Sequence, residues 1–172
     1  MTSSVIERLE TPEARPLAGL AELLRDSVAG GAAMGFLAPL SHEAAGRWWR
    51  HEAPAPGPHA PLWVASREGR IEGAVQLNAC RKPSGRHRGE VLKLMVHSRA
   101  RGQGVATRLM TTLEAHAATL GLTLLLLDTR SGSPAETLYT RLGWERYGEV
   151  PGYSLDPDGS GPWPTAFYFR RL

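Results

Sequence analysis

The run Arg101-Gly-Gln-Gly-Val-Ala-Thr107 has the composition of an anion cradle. Gly102 and Gly104 lift the steric limits on the backbone, and Val105 opens a helical pattern directly behind them. A short glycine-rich loop that runs into a helix presents backbone N–H groups without partners. The helix dipole adds partial positive charge at the same place, so the preferred guest is a phosphate. Arg99 and Arg101 add full charges beside it. The loop has neither the Lys-Ser/Thr pair of a P-loop nor the three-glycine spacing of a dinucleotide loop. What stands here is Arg101-x-x-Gly104-x-Ala106, with Gly102, Gln103 and Val105 between and Thr107 after.

The elements on either side must hold this loop in place. Val91, Leu92, Leu94, Met95 and Val96 form an apolar run broken only by Lys93, which predicts a strand. Val105, Leu109, Leu113, Ala117 and Leu120 recur at spacings of three and four, one face of a helix, and Gly121 suits its C-terminus. Residues 122–128 predict a second buried strand. Strand, loop, helix and strand make a βαβ unit, whose strands are expected to be parallel.

Elsewhere, residues 4–10 predict a first strand, and residues 16–28 a helix with a Leu17, Leu20, Leu24, Val28 stripe. Ser41 is placed to cap a second helix that carries Trp48 and Trp49. Residues 52–61, rich in proline, read as a loop. Residues 62–66 and 71–81 predict strands joined by a turn at Glu68-Gly69, and residues 82–88 the next turn. After residue 128 the pattern gives a helix over 135–142, stopped by Gly143, then strands over 146–150 and 165–171. A long Gly/Pro-rich loop over 151–164 separates them, of the kind that often carries function. At 172 residues, 42% hydrophobic and 22% charged, residues 1–172 are expected to form one soluble α+β domain. No apolar run is long enough for a membrane span, and the N-terminus lacks the apolar core of a signal peptide, so a cytoplasmic location is expected. The net charge of +3 suits a polyanionic ligand but is too small to argue for nucleic acid. A single cysteine, Cys80, excludes an internal disulfide framework, and no Cys/His cluster has zinc spacing, so no metal is expected.

In its place between an apolar strand and an amphipathic helix, Arg101-x-x-Gly104-x-Ala106 resembles the Gln/Arg-x-x-Gly-x-Gly/Ala signature of the GNAT superfamily of N-acetyltransferases. That resemblance implies acetyl-CoA as cosubstrate, its pyrophosphate on Arg101, Gly102, Gln103, Gly104, Val105, Ala106 and Thr107. It also implies backbone bonds from Leu94, Met95 and Val96 to the pantetheine arm. The implied fold is a mixed, mostly antiparallel sheet of six or seven strands with about four helices and a V-shaped opening. A second signature, Tyr139-Thr-Arg-Leu142-Gly143-Trp144, resembles the Tyr-x-x-Leu-Gly-Phe segment of many GNAT enzymes. There the tyrosine commonly acts as general acid toward the CoA sulfur, which implies that role for Tyr139. A phenol of pKa about 10 stays protonated at neutral pH and can supply the proton a departing thiolate needs. One departure stands out: many relatives carry Asn seven residues before this tyrosine, where this chain has Gly132. Ser131 and Ser133 are candidates to replace it.

Acetylating an amine also requires removing a proton from an ammonium, and a carboxylate working through water can do so. Glu90 and Asp128 are the candidates. Glu90 begins its strand and Asp128 ends one, which sets parallel neighbours at opposite ends unless the strands are offset. Cys80 has no activating partner and reads as a structural thiol. None of the six histidines is assigned a role. Wider stretches, among them Gly35-Phe36, Lys93-Leu-Met-Val96 and Gly148-Glu-x-Pro-Gly-Tyr153, resemble the tabtoxin resistance branch of the superfamily, in which a β-lactam toxin is acetylated on its amine. The similarity implies a small amino compound as acceptor, bound by Gly35 and Phe36 of the 30–37 loop and Tyr153 of the 151–158 loop. A non-catalytic acyl-CoA sensor and a protein N-terminal or lysine acetyltransferase are the alternatives. A monomer or homodimer without nucleic-acid or membrane partners is expected.

Overall fold

In the computed structural model, which describes residues 3–11, 13 and 16–172, the apolar run ahead of the glycine loop is the fourth of seven strands. The elements are β1 (Val5–Leu9), α1 (Leu17–Ala29), α2 (His42–His51), β2 (Leu62–Arg67), β3 (Arg70–Ala79), β4 (Arg88–Val96), α3 (Val105–Thr119), β5 (Leu124–Arg130), α4 (Pro134–Arg141), β6 (Glu145–Ser154) and β7 (Trp163–Arg171). The strands form one sheet in the order β1-β2-β3-β4-β5-β7-β6. Among the described residues only β4 and β5 run parallel, and they are the two strands of the expected βαβ unit. The GNAT fold implied by the sequence is the fold observed.

Helices cover the sheet from both sides. Val105, Leu109, Met110, Leu113 and Ala117 of α3 pack with Val75, Leu77, Leu125 and Leu127. On the other face, α1 and α2 bury Leu20, Leu24 and Trp49 with Leu62, Val64 and Met95. Each such fully buried aliphatic side chain contributes about 1.5–3 kcal/mol. Gly73 makes the α3 contact possible. A side chain there would begin 2.9 Å from the Met95 carbonyl oxygen and 3.0 Å from Leu109 Cδ1. Ser41 caps α2 as expected, its Oγ accepting from the Ala44 N–H at 3.0 Å.

The site depends on where β4 and β5 part. Their pairing covers only Arg88↔Leu124, Gly89↔Leu125 and Glu90↔Leu126. Beyond that, β4 is paired with β3 alone and β5 with β7 alone, so the sheet opens into a V. On the β3 side Ala74 faces Met95 while Gln76 faces Leu92, which leaves Lys93 and Leu94 opposite Val75. This is a β-bulge, with Lys93 in the left-handed region at φ 52°, and bulges bend and twist a strand locally.

Two expectations shift. The second strand of the βαβ unit runs Leu124–Arg130 rather than from residue 122. Residues 151–154, expected to be loop, continue β6. The ladder breaks after Val150↔Thr165 and resumes at Ser154↔Trp163. Gly152, at φ 61°, takes up the irregularity. Pro151 and Gly152 erase the alternation by which a strand is recognised in sequence, and Tyr153 therefore stands on a strand.

Candidate active site

At the open end of β4 the chain makes a short 3-10 turn (Ser98–Ala100), then the glycine loop, then α3. Gly102 and Gly104 have φ of 73° and 75°, a region that strains residues with a side chain. Arg108 N–H bonds to the Gly104 carbonyl, the first bond of the helix. The six preceding amides, of Gly102, Gln103, Gly104, Val105, Ala106 and Thr107, have no acceptor among the described residues. No atom lies within 4 Å of where a side chain on Gly102 or Gly104 would begin. Consecutive free amides, a helix N-terminus and open space suit a diphosphate.

The arginines behave differently from expectation. Arg99 is held by Glu22 at 3.0 Å and by the Ile71 carbonyl at 2.6 Å, so its charge is already paired. Arg101 turns its Nε toward the Val96 carbonyl, 3.3 Å away, instead of extending freely from the loop. Gln103 bridges Arg67 and the Arg99 carbonyl, a bracing role for its side chain. The donors left free at this loop are therefore main-chain groups. Leu94, Met95 and Val96 lie beyond the last β4–β5 pair, on a strand whose second edge pairs with no other strand among the described residues. That free edge suits the amides of a pantetheine arm.

Asp128 stands on the β5 wall of the V, opposite Phe167 of β7. Its carboxyl meets solvent, yet the surrounding protein strips enough hydration to raise its pKa above the usual range, against the lowering effect of Lys93. Lys93 shows the converse. Burial lowers its pKa and Asp128 partly restores it. The Lys93 ammonium donates to the Met34 carbonyl at 2.6 Å and lies 5.5 Å from the Phe36 ring and 5.0 Å from the Trp48 ring. Tyr139 is 6% exposed, and its ring centroid lies 5.9 Å from that of Tyr168 and 6.1 Å from that of Trp144. Burial, then Asp128, then Tyr168 hold its phenol well above the ordinary tyrosine range. Glu90 occupies the last paired position, opposite Leu126. The strands are therefore offset, and Asp128 lies two residues past Glu90's level, about 7 Å along the strand. Cys80 lies beside Arg88, at the paired end of β4, away from the opening.

Both expected acceptor loops are found together. The Ala38 N–H donates to the Pro157 carbonyl at 2.7 Å. Phe36 packs edge-on against Trp48, and Tyr153 packs edge-on against Phe167 with centroids 5.5 Å apart. Gly35 lies beside Lys93. The Gly132 position has a local explanation, because its φ is 78° and its N–H donates to Glu136 at 2.6 Å. Both neighbouring serines have local partners. Ser131 Oγ bonds Glu149 at 2.7 Å, and Ser133 Oγ lies 3.2 Å from Thr129 Oγ1.

The sequence model of the Acetyltransferase (GNAT) family matches residues 22–144, from α1 through the Gly143-Trp144 step. This chain belongs to the GNAT acetyltransferase family. It is 30% identical over 132 residues to an uncharacterized N-acetyltransferase of Azospirillum brasilense from the hisH-hisA intergenic region, spanning 76% of this chain and 77% of that protein. Its fold matches that of ribosomal-protein-alanine N-acetyltransferase from Brucella melitensis with a TM-score of 0.78, at 23% identity over 98% of this chain and 99% of the other. It likewise matches yncA from Salmonella typhimurium, solved with its cofactor acetyl-CoA, with a TM-score of 0.75, at 19% identity over 99% and 95%. Acetyl-CoA is the donor for this GNAT N-acetyltransferase, and the free amides and free strand edge fit it. Among the described residues no helix is long and apolar enough to cross a membrane, and no group of His, Cys, Asp and Glu could hold a metal ion.

The GNAT site contains residues that motif reading passed over. Lys93 was visible as the one charge in an apolar strand, but its role depends on a bulge that no sequence pattern announces. Trp48 reads as a helix core residue, yet it is the aromatic neighbour of that ammonium. Arg130 and Asp156, 2.7 Å apart, join the end of β5 to the loop between β6 and β7, and their separation in sequence hides the pair.

Proposed function

We propose that this GNAT enzyme, acting as one domain over residues 1–172, transfers the acetyl group directly to the amine of a small, amino-acid-like or β-lactam-type molecule in a ternary complex. The observation that carries this reading is the placement of Lys93 and Asp128 on the two walls of the V, between the aromatic pairs Phe36–Trp48 and Tyr153–Phe167. A zwitterion finds a cation and an anion there, with aromatic surface on either side. Bound acetyl-CoA supplies a thioester carbon open to attack. Asp128 takes a proton from the acceptor ammonium through water, with Glu90 at the apex of the V as the second carboxylate. The neutral amine then forms the C–N bond as the C–S bond breaks. Tyr139 gives its proton to the departing sulfur and regains one, through solvent, from the amide nitrogen. Its raised pKa keeps it protonated until that moment, and the same dry surroundings raise the proton affinity of a thiolate beside it. Gly35, Phe36 and Tyr153 line the acceptor side.

A screen of amino acids, dipeptides and amino-β-lactams for acetyl-CoA-dependent thiol release tests this reading. Release with at least one small amine is expected. Acetylation of protein N-termini or lysines, with no turnover of any small amine, would contradict it.

A further inference from the structure

The turn that carries the chain out of β4 is gripped from α1. The Asp26 carboxylate accepts two bonds from one residue, from the Ser98 N–H at 2.7 Å and from the Ser98 hydroxyl at 2.6 Å. Ser98 opens the 3-10 turn that leads into the glycine loop, and Ala100 at its end is fully buried. The His97 ring lies between two carboxylates of α1, 3.2 Å from Glu22 and 3.5 Å from Asp26. These two carboxylates are not equivalent. The Glu22 side chain is 56% exposed, and its bond to Arg99 is a surface ion pair of small worth. The Asp26 side chain is 18% exposed. Burial works against the Asp26 charge, yet the two Ser98 bonds, then His97 and Arg101, more than offset it and hold the carboxyl below the ordinary aspartate range. Arg101 comes this close because Gly30 ends α1 without a side chain; one there would begin 3.0 Å from Arg101 Nη2. On the other flank Arg67 pairs with Glu72 at 2.6 Å and donates to the Gln103 side chain at 2.6 Å, which in turn donates to the Arg99 carbonyl at 3.0 Å. Both braces hold the turn, and neither uses the amides of residues 102–107.

We propose that Asp26 is a positioning residue for acetyl-CoA, which fixes Ser98 and so holds the free amides of residues 102–107 in place before the diphosphate arrives. The proposal rests on the reading of those amides as the anion site. A loop ordered beforehand loses less conformational freedom on binding, so more of its hydrogen-bond energy appears as affinity. Asp26 does not touch the donor. It acts through Ser98, from a helix on the far side of the turn.

Hydrogen exchange and calorimetry with acetyl-CoA test this without any acceptor amine. In the free wild-type protein the Ser98 amide should exchange at least about tenfold more slowly than the Gly102 amide, each relative to its intrinsic rate. Acetyl-CoA should slow exchange across residues 102–107. Asp26→Asn keeps side-chain shape and removes the charge. It should release the Ser98 amide and weaken acetyl-CoA binding about tenfold, with a thermal midpoint within a few degrees of wild type. Ser98→Ala breaks the same contact from its other side and should also weaken binding, and the double variant should bind no more weakly than Asp26→Asn alone. A merely stabilising role for Asp26 would lower the thermal midpoint and leave the affinity unchanged. Wild-type affinity in folded Asp26→Asn, or in Ser98→Ala if Asp26→Asn does not fold, overturns the proposal alone when acetyl-CoA still protects residues 102–107. A wild-type Ser98 amide that exchanges as fast as Gly102 does the same. Acetyl-CoA binding that leaves residues 102–107 unprotected removes the anion-site reading, and the role of Asp26 with it.

Discussion

Lys93 and Asp128 stand on opposite walls of the V, each near enough to move the other's proton affinity and neither in ion-pair contact with the other. Burial works against both charges, and each is the favourable partner that limits the other's shift. The arrangement leaves a gap between opposite charges, of the kind an acceptor with both an ammonium and an anionic group can fill.

The pH dependence follows from this pair. Asp128 accepts a proton only when ionised, so kcat/KM should rise with pH through its raised pKa. The groups around it are Lys93 of β4, Tyr139 of α4 and Arg130 of its own strand, the last already paired with Asp156. Lys93→Met removes the cation that lowers the Asp128 pKa, so the acid limb of the profile should move to higher pH. Asp128→Asn should remove that limb and depress turnover. Wild-type profiles in both variants would exclude Asp128 as the base.

Tyr139→Phe deletes a hydroxyl while conserving the ring that packs against Tyr168 and Trp144. Folding should survive, and turnover should fall on the order of the 10²–10⁴-fold that a general acid contributes. Acetyl-CoA affinity by calorimetry should change little. A Phe variant with wild-type turnover, measured where chemistry limits the rate, would take Tyr139 out of the mechanism.

Gly104 separates two effects. Its φ of 75° strains most side chains, but asparagine tolerates that region better than other non-glycine residues. Gly104→Asn should therefore fold and place a side chain in the open space that the free amides face. Acetyl-CoA affinity should drop at least about tenfold by calorimetry, with a thermal midpoint within a few degrees of wild type. Unchanged affinity in the folded variant would remove this loop as the anion site.

Much of this was legible in the residues. The apolar run before the loop, the α3 stripe and the two glycines fixed strand, helix and turn, because each has a local periodicity or a local steric cause. The row of free amides proposed as the anion site was legible for the same reason, since the positions of these main-chain groups follow from Gly102, Gly104 and the helix start. The arginine side chains were not. Whether Arg99 reaches a ligand or Glu22 depends on a helix 77 residues earlier in the chain. The offset that brings Asp128 past Glu90, the bulge that turns Lys93 into the V, and the Ala38–Pro157 bond are all long-range register effects. Periodicity carries no information about them.

Direct transfer in a ternary complex is the centre of this account, and initial-rate kinetics with acetyl-CoA and the best small amine varied together test it most directly. The account predicts intersecting double-reciprocal lines and no acetyl group on the protein after incubation with acetyl-CoA alone, since Cys80 lies at the paired end of β4. Parallel lines together with an acetylated Cys80 peptide would contradict it.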